Sequence, residues 1–329
     1  MRRLHQVTSV HPATRWKIAL AFVAVYVFWG MTYLAMRVAV TDIPPHLLSG
    51  SRFVVAGLML YAWARRQGDP PPTRVQWRTA TVIGAFLLLG GNASVAWAEE
   101  RVPSGLAAVL IAVAPIWMVG IEWARGGKKP STRVLAGLSL GLLGVALLVS
   151  SGTSGQLRVD PVGAVILILA SASWAWGSVF SKSAPLPESK FMATSMEMIG
   201  GGLLLLLVAG VTGQFAHFDP SRVTGSAVLA WGYLVVFGSL VGFTAYIWLL
   251  GATSIARAGT YAYVNPVVAV FLGWAILDEP VTSRMLLAAL ITLSGVVLVS
   301  VPAAAAHRST LTSPVLQPRP RTTDCLDDC

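Results

Sequence analysis

The chain has 329 residues, of which 55% are hydrophobic and only 12% charged. A soluble domain carries about 25% charged residues, so this composition excludes an ordinary water-soluble globule. The formal net charge of +10 invites a nucleic-acid partner, but excess Lys and Arg in a membrane protein reports orientation, and the placement of the charges decides between the two.

Residues 1–15 are polar and basic and read as a cytoplasmic N-terminal tail. The first apolar run, Trp16 to Met36, meets the roughly 20 helical residues that a bilayer core requires. It is too long for a signal-peptide core and lacks a small-residue cleavage site, so it reads as a retained span. Runs follow over Pro45 to Ala64, Thr79 to Ala98, Ser104 to Ala124 and Val134 to Ser150. A second set covers Val162 to Phe180, Phe191 to Val211, Val228 to Leu250, Ala258 to Ile276 and Met285 to Val301. The runs are continuously apolar, whereas barrel strands alternate, so they predict helices. The expected fold is an all-α integral membrane protein of ten transmembrane helices. Residues 303–329 have the composition of a disordered cytoplasmic tail. Both cysteines, Cys325 and Cys329, lie there and indicate neither a disulfide framework nor a metal site.

With the N-terminus in the cytoplasm, the inner segments collect Arg2, Arg3, Arg15 and Lys17, then Arg65, Arg66, Arg74 and Arg78, then Arg125, Lys128, Lys129 and Arg133. Lys182, Lys190, Arg257, Arg308, Arg319 and Arg321 are also inside, and only Arg37, Arg101, Arg158, Arg222 and Arg284 fall outside. This bias predicts a multi-pass protein of the inner membrane with both termini cytoplasmic. It accounts for the basic charge without nucleic acid.

The two sets of five spans look alike. With Pro115 aligned on Pro266, Val119 meets Val270, Trp123 meets Trp274, Arg133 meets Arg284 and Gly144 meets Gly295. Trp29-Gly30 likewise meets Trp176-Gly177. Five crossings being odd, the second half is expected upside down relative to the first, a recurrent plan of secondary transporters. Pro115 and Pro266 fall near mid-span, where a proline removes an N–H and frees a carbonyl. Symmetric interruptions of this kind point to a midplane site, or to packing kinks.

The segments "FWGMTYLAMRVAV", "GSRFVVAGLML" and "VPSGLAAVLIAVAPIW" in the first half, with "SWAWGSVFSK" and "TYAYVNPVVAVFLGWAILDEP" in the second, resemble the drug/metabolite transporter superfamily. The likeness is to its EamA-domain members, and most of all to YedA-like exporters. It covers both repeats, taken as residues 16–150 and 151–302. The resemblance implies a central cavity lined mainly by spans 1, 3, 4, 6, 8 and 9, and export of amino acids, related metabolites or drugs. The implied partners are a small-molecule solute and the lipid bilayer.

Candidate cavity residues are Trp29 and Tyr33 in span 1, Asn92 in span 3, Pro115 in span 4, and Trp174, Trp176 and Ser178 in span 6. Tyr246 in span 8 and Tyr261, Tyr263, Asn265 and Pro266 in span 9 complete the set. Aromatic faces suit apolar or cationic solutes, and buried packing is the competing reading. Trp123 and Trp274 fit an interfacial belt instead. Charges inside spans mark functional hypotheses. Arg52 and Glu197 stand at matching places in spans 2 and 7, and the alternatives are an ion pair, a substrate or proton site at Glu197, or separate snorkelling. Glu99 and Glu122 lie near span ends, as surface groups or proton-coupling acids. Gly137, Gly141 and Gly200 to Gly202 permit close helix approach, and a monomer and a homodimer both fit.

No enzyme is expected. His5, His11, His46, His217 and His307 all lie in tails or loops, and no nucleophile–base pair, metal cluster or phosphate loop occurs. No cofactor is called for. The mechanism that fits is alternating access between two inverted halves.

Overall fold

A computed structural model describes residues 12–99, 107, 110–151, 160–277 and 282–300, and these form helices joined by short turns. In the first half α1 is Pro12–Ala39, α2 is Pro45–Arg66, α3 is Arg74–Ala98, α4 is Ala114–Ala124 and α5 is Thr132–Ser151. In the second half α6 is Pro161–Ser181, α7 is Lys190–Val211 and α8 is Gly225–Ala252. The ninth, α9, comprises Ile255–Ala258 and Tyr261–Leu277, and α10 is Ser283–Ser300. Among the described residues eight of these are long and apolar enough to cross a bilayer; α4 is shorter, and α5 enters as the shorter apolar stretch Thr132–Leu148. The tail cysteines, Glu100 and the α3–α4 connection lie outside the described residues.

Local chemistry sets the helix starts. Thr73 and Gln76 form a reciprocal capping box at α3, satisfying backbone donors that the first turn leaves open. Asp160, with Pro161 behind it, caps α6, and Ser189 and Thr224 cap α7 and α8. Gly213 follows α7 with φ 73°, the left-handed backbone that glycine adopts without strain. Leu58, Leu203, Leu207, Leu229 and Leu290 are more than half exposed, and lipid tails are the solvent for such a surface.

The helix neighbours obey a two-fold rule. The α2–α7 and α5–α10 pairs are the most extensive contacts, and each joins equivalent helices of the two halves. Three further sets of pairs come as exchanges: α1 packs on α9 as α6 packs on α4, α1 on α8 as α6 on α3, and α3 on α7 as α8 on α2. Glycines set the closest approaches. Gly201 on α7 lies against Gly84 on α3, and Gly202 against Val54 and Gly50 on α2. Gly137, Gly141 and Gly144 on α5 face Gly295 and Thr292 of α10 in the same chain. Backbone-to-backbone approach of this kind replaces hydrophobic driving force inside a membrane.

Two features depart from the sequence expectation. The paired prolines do not interrupt their helices equivalently. The chain turns at Ala112 and Val113, and α4 restarts with Pro115 in its first turn, where its missing N–H would be unpaired anyway. Pro266 instead stays inside the continuous Tyr261–Leu277 helix, and α9 breaks earlier, at Gly259 and Thr260. The symmetric irregularity lies elsewhere. Ala85–Ala93 in α3 and Leu234–Phe243 in α8 are both π-helical, a widening that shifts backbone pairing and often marks functional sites.

A Cβ at Gly295 would lie 2.5 Å from the Gly141 N and 2.6 Å from the Gly137 O. Gly295→Leu must therefore push α5 from α10, and overpacking of this sort costs about 1–3 kcal/mol or more. The expected result is a clear fall in melting temperature in detergent. Gly232→Ala, which meets nothing within 4 Å, should leave it unchanged or raise it slightly.

Candidate functional site

Both halves contribute to one central cavity of about 100 Å³, below the roughly 300–1,000 Å³ usual for drug-sized ligand sites. Its lining includes Trp29, Thr32 and Met36 of α1, Asn92 of α3, Ala114 of α4, Ser171 and Trp174 of α6, Phe243 of α8, and Tyr261 and Asn265 of α9. Arg52 and Phe53 bring α2 to the wall as well, a helix that the family resemblance does not place there. Ala114 and Asn265 are the residues before the two aligned prolines, and both face the cavity.

The π segments hold its tryptophans. A π turn leaves carbonyls free to accept side-chain donors. Trp29 Nε1 donates to the Gly238 O at 2.9 Å, and Ser173 Oγ donates to the Phe86 O at 2.8 Å. In each case the first helix of one half caps the π segment of the other. Glycine makes the fit possible: Gly242 lies against Trp29, and a Cβ on Gly91 would sit 3.0 Å from Trp174. The structural counterpart of Trp29 is therefore Trp174, and not Trp176 as the Trp-Gly alignment predicts. Trp176 stacks between Phe86 and Phe180, with centroids 4.2 and 4.8 Å away, and lies off the cavity.

Trp29, Trp174, Tyr246 and Tyr261 form an aromatic tetrad. Trp29 lies 5.7, 5.1 and 4.9 Å from the other three rings. Trp174 lies 5.4 Å from Tyr246 and 6.5 Å from Tyr261, and the two tyrosines are 5.4 Å apart. Edge and tilted contacts are worth about 0.5–1.5 kcal/mol each beyond burial. Tyr246 holds the tetrad from behind: its hydroxyl accepts from Trp174 Nε1 at 3.0 Å and pairs with Ser178 Oγ at 2.6 Å. Tyr246 and Ser178 are thus packing and hydrogen-bonding supports, not lining residues. Tyr263 is another support, since its hydroxyl donates to the Leu138 O and its ring covers Gly141. Pro115 and Pro266 are buried beside the lining. The side chains of Tyr33 and Glu99 lie outside the described residues.

Arg52 and Glu197 do not meet. Arg52 Nη2 donates to Asn92 Oδ1 at 2.9 Å, while both Glu197 carboxylate oxygens are buried without a hydrogen-bond partner. The antiparallel crossing explains the separation. Gly57 lies against Ile199, Val54 against Gly202 and Gly50 against Leu206, so Arg52 is level with Leu204. Seven residues of helix, about 10 Å, separate that level from Glu197. Glu122 is engaged elsewhere, in a partly exposed ion pair with Lys182 at 3.0 Å. At the loops, the Thr224 hydroxyl and backbone N–H both donate to Asp42 and hold its carboxyl below the usual range.

Removing the Tyr246 hydroxyl strands the Trp174 Nε1 donor and takes a partner from Ser178 Oγ, whose own proton goes to the Trp174 O at 2.7 Å. Tyr246→Phe is expected to cost about 1–3 kcal/mol, read as a lowered melting temperature. Tyr61→Phe, at a partly buried ring beside Trp77, should cost less.

The comparisons with known proteins agree with this architecture. A solved crystal structure of 19% sequence identity superposes with a TM-score of 0.71, covering 87% of this chain and 96% of that one. The uncharacterized inner membrane transporter YedA of Escherichia coli (strain K12) is 37% identical over 300 residues, covering 90% of this chain and 95% of that protein. A probable amino-acid metabolite efflux pump of the same organism is 23% identical over 286 residues, covering 82% of this chain and 90% of that protein. The model of the EamA-like transporter family matches twice, at residues 16–150 and 161–301. Two matches of one domain, on two halves that pack by a two-fold rule, make this chain a member of the EamA-like transporter family.

Proposed function

We propose that this protein is a secondary transporter of the inner membrane that exports small metabolites, amino acids or related compounds or drugs, by alternating access between two inverted five-helix repeats. The repeats are residues 16–150 and 151–302, and the tails 1–15 and 303–329 lie in the cytoplasm. One observation carries the reading: a single cavity is walled by equivalent helices of both halves, and opposite π segments anchor its aromatic side chains.

The orientation drawn from the Lys and Arg bias gives the cavity a direction. Trp174, Tyr246 and Tyr261 stand toward the cytoplasmic ends of α6, α8 and α9, so the tetrad forms the inner floor. Beyond it Tyr26 and Thr260 join the two halves through a 2.6 Å hydroxyl contact. Arg52 and Asn92 stand toward the outer side. Opening to the cytoplasm requires the Tyr26–Thr260 bond and the Trp29–Tyr261 contact to break. A solute drives the exchange only as far as it prefers one state over the other.

Coupling to protons, on this reading, falls to Glu197, and not to Glu122, which Lys182 occupies. Glu197 is wholly buried on α7, against the Gly84 level of α3. Lys190 of its own helix and Tyr246 of α8 are within its electrostatic reach, and Arg52 of α2 lies a further two turns along. An unpaired carboxylate is costly in such packing, so the group suits a site that takes up and releases a proton during the cycle.

Three measurements test these statements. Flux of radiolabelled amino acids into proteoliposomes tests transport, and Trp29→Ala should lower it at least tenfold while Gly232→Ala leaves it unchanged. Tyr26→Phe removes about 1 kcal/mol from the inner closure, a roughly fivefold population shift. With Cys325 and Cys329 replaced by serine and Ala258→Cys introduced, it should speed thiol labelling from the cytoplasmic side. Equal labelling with and without Tyr26→Phe overturns the gate. Glu197→Gln should keep solute exchange but lose its response to an imposed pH gradient, and a full response moves coupling elsewhere.

A further inference from the structure

The cavity sets two residues with unsatisfied polar atoms, Arg52 and Asn265, in a wall that is otherwise aromatic, aliphatic or neutral and polar. Arg52 is only 4% exposed. Its Nη2 is held by Asn92 and its guanidinium carbon lies 4.3 Å from the Phe53 ring centroid, while Nε is buried with no partner. The described acids form ion pairs elsewhere or none, and no acid is paired with Arg52 among the described residues. Across the same cavity Asn265 is 3% exposed, and its Oδ1 has no hydrogen-bond partner.

The chemistry of these groups is specific. A guanidinium stays charged at any physiological pH, so the cavity carries a fixed positive charge that the neutral amide of Asn92 orients without cancelling. A charge held in low dielectric requires an anion, and the planar fork of Arg matches a carboxylate in two-point geometry. The free Asn265 oxygen accepts only, so it calls for a donor. Trp29, Trp174 and Tyr261 offer ring faces to an apolar group or to a nearby ammonium. Aromatic walls alone would favour lipophilic cations; Arg52 reverses that preference.

We propose that Arg52 is the solute anchor, seating a carboxylate, with Asn265 taking a donor such as an α-ammonium and the tetrad taking the apolar part. The cavity thereby accepts monocarboxylates and zwitterions and rejects cations. This assignment rests on the transport reading for its purpose, but binding is measurable without flux.

The test uses the full-length purified protein in detergent and two probe series. One is L-leucine, its methyl ester, 4-methylpentanoate and 3-methylbutylamine; the other is L-phenylalanine, its methyl ester, 3-phenylpropionate and phenethylamine. In at least one series the amino acid and the deaminated acid should raise the melting temperature, the amino acid more strongly, while ester and amine do not. Asn92→Asp puts a carboxylate beside Arg52 as a built-in competitor. It should keep or raise the melting temperature of the free protein and weaken acid binding at least tenfold; Arg52→Gln should abolish it. Ester or amine binding as tightly as the acid overturns the proposal, as does undiminished acid binding in Asn92→Asp, or binding by no member of either series. Equal stabilisation by inorganic phosphate or chloride also overturns it, since the site would then take any small anion. Acid binding without flux in proteoliposomes would instead refute transport and leave the anchor standing.

Discussion

The hydrocarbon core of a bilayer supplies no hydrogen bonds, so every backbone group inside it must find a partner within the protein. The two π segments are where that constraint shapes this molecule. Each widens its helix and is capped by a side chain from the other half, Trp29 on Gly238 and Ser173 on Phe86. The caps tie α1 to α8 and α6 to α3, and glycines at Gly91 and Gly242 let two tryptophans lie against the widened turns. The aromatic tetrad, and hence the floor of the cavity, follows from this arrangement. The irregular backbone and the candidate binding surface are one structure.

Polar groups inside the bundle fall into two kinds. Ser178 is bonded to Tyr246, and Tyr26 to Thr260, and these pairs hold helices together. Arg52 Nε, Asn265 Oδ1 and the Glu197 carboxylate have unmet capacity, and in low dielectric such groups destabilise the resting fold. A solute, a proton or a rearrangement that satisfies them gains free energy that the resting state lacks. On the proposed transport reading, that gain is what would drive a cycle between two packings.

The halves are equivalent in plan but not in chemistry. Three of the four tetrad rings come from the second half, whereas Arg52 and Asn92 come from the first. Asn265 stands where the first half has Ala114. A two-fold scaffold thus carries an asymmetric lining, with charge toward one end and aromatic surface toward the other. The two-fold plan is a property of the scaffold, and the asymmetry is a property of the lining.

Much of this was legible in the residues themselves. Apolar runs of about 20 residues mark helices because the bilayer thickness sets their length. The repeat shows in Gly144 and Gly295, because equivalent helix contacts demand equivalent small residues. Trp29, Asn92, Trp174, Tyr261 and Asn265 stand out as polar or aromatic groups at membrane depth, and the structure sets all five around one cavity. What tertiary packing alone decided is which way neighbouring candidates point. Trp174 and Trp176 are two residues apart, yet one lines the cavity and the other stacks on Phe86 and Phe180, since successive helical positions face different neighbours. The π segments were hidden because a widened turn has no residue signature distinct from an α turn. The partner of Arg52 was hidden because the antiparallel register of α2 and α7 sets it level with Leu204, about 10 Å from Glu197, and brings Asn92 of α3 to its guanidinium instead. Composition and periodicity determine that the chain spans a membrane as paired repeats; the register between helices determines which charges and rings share a site.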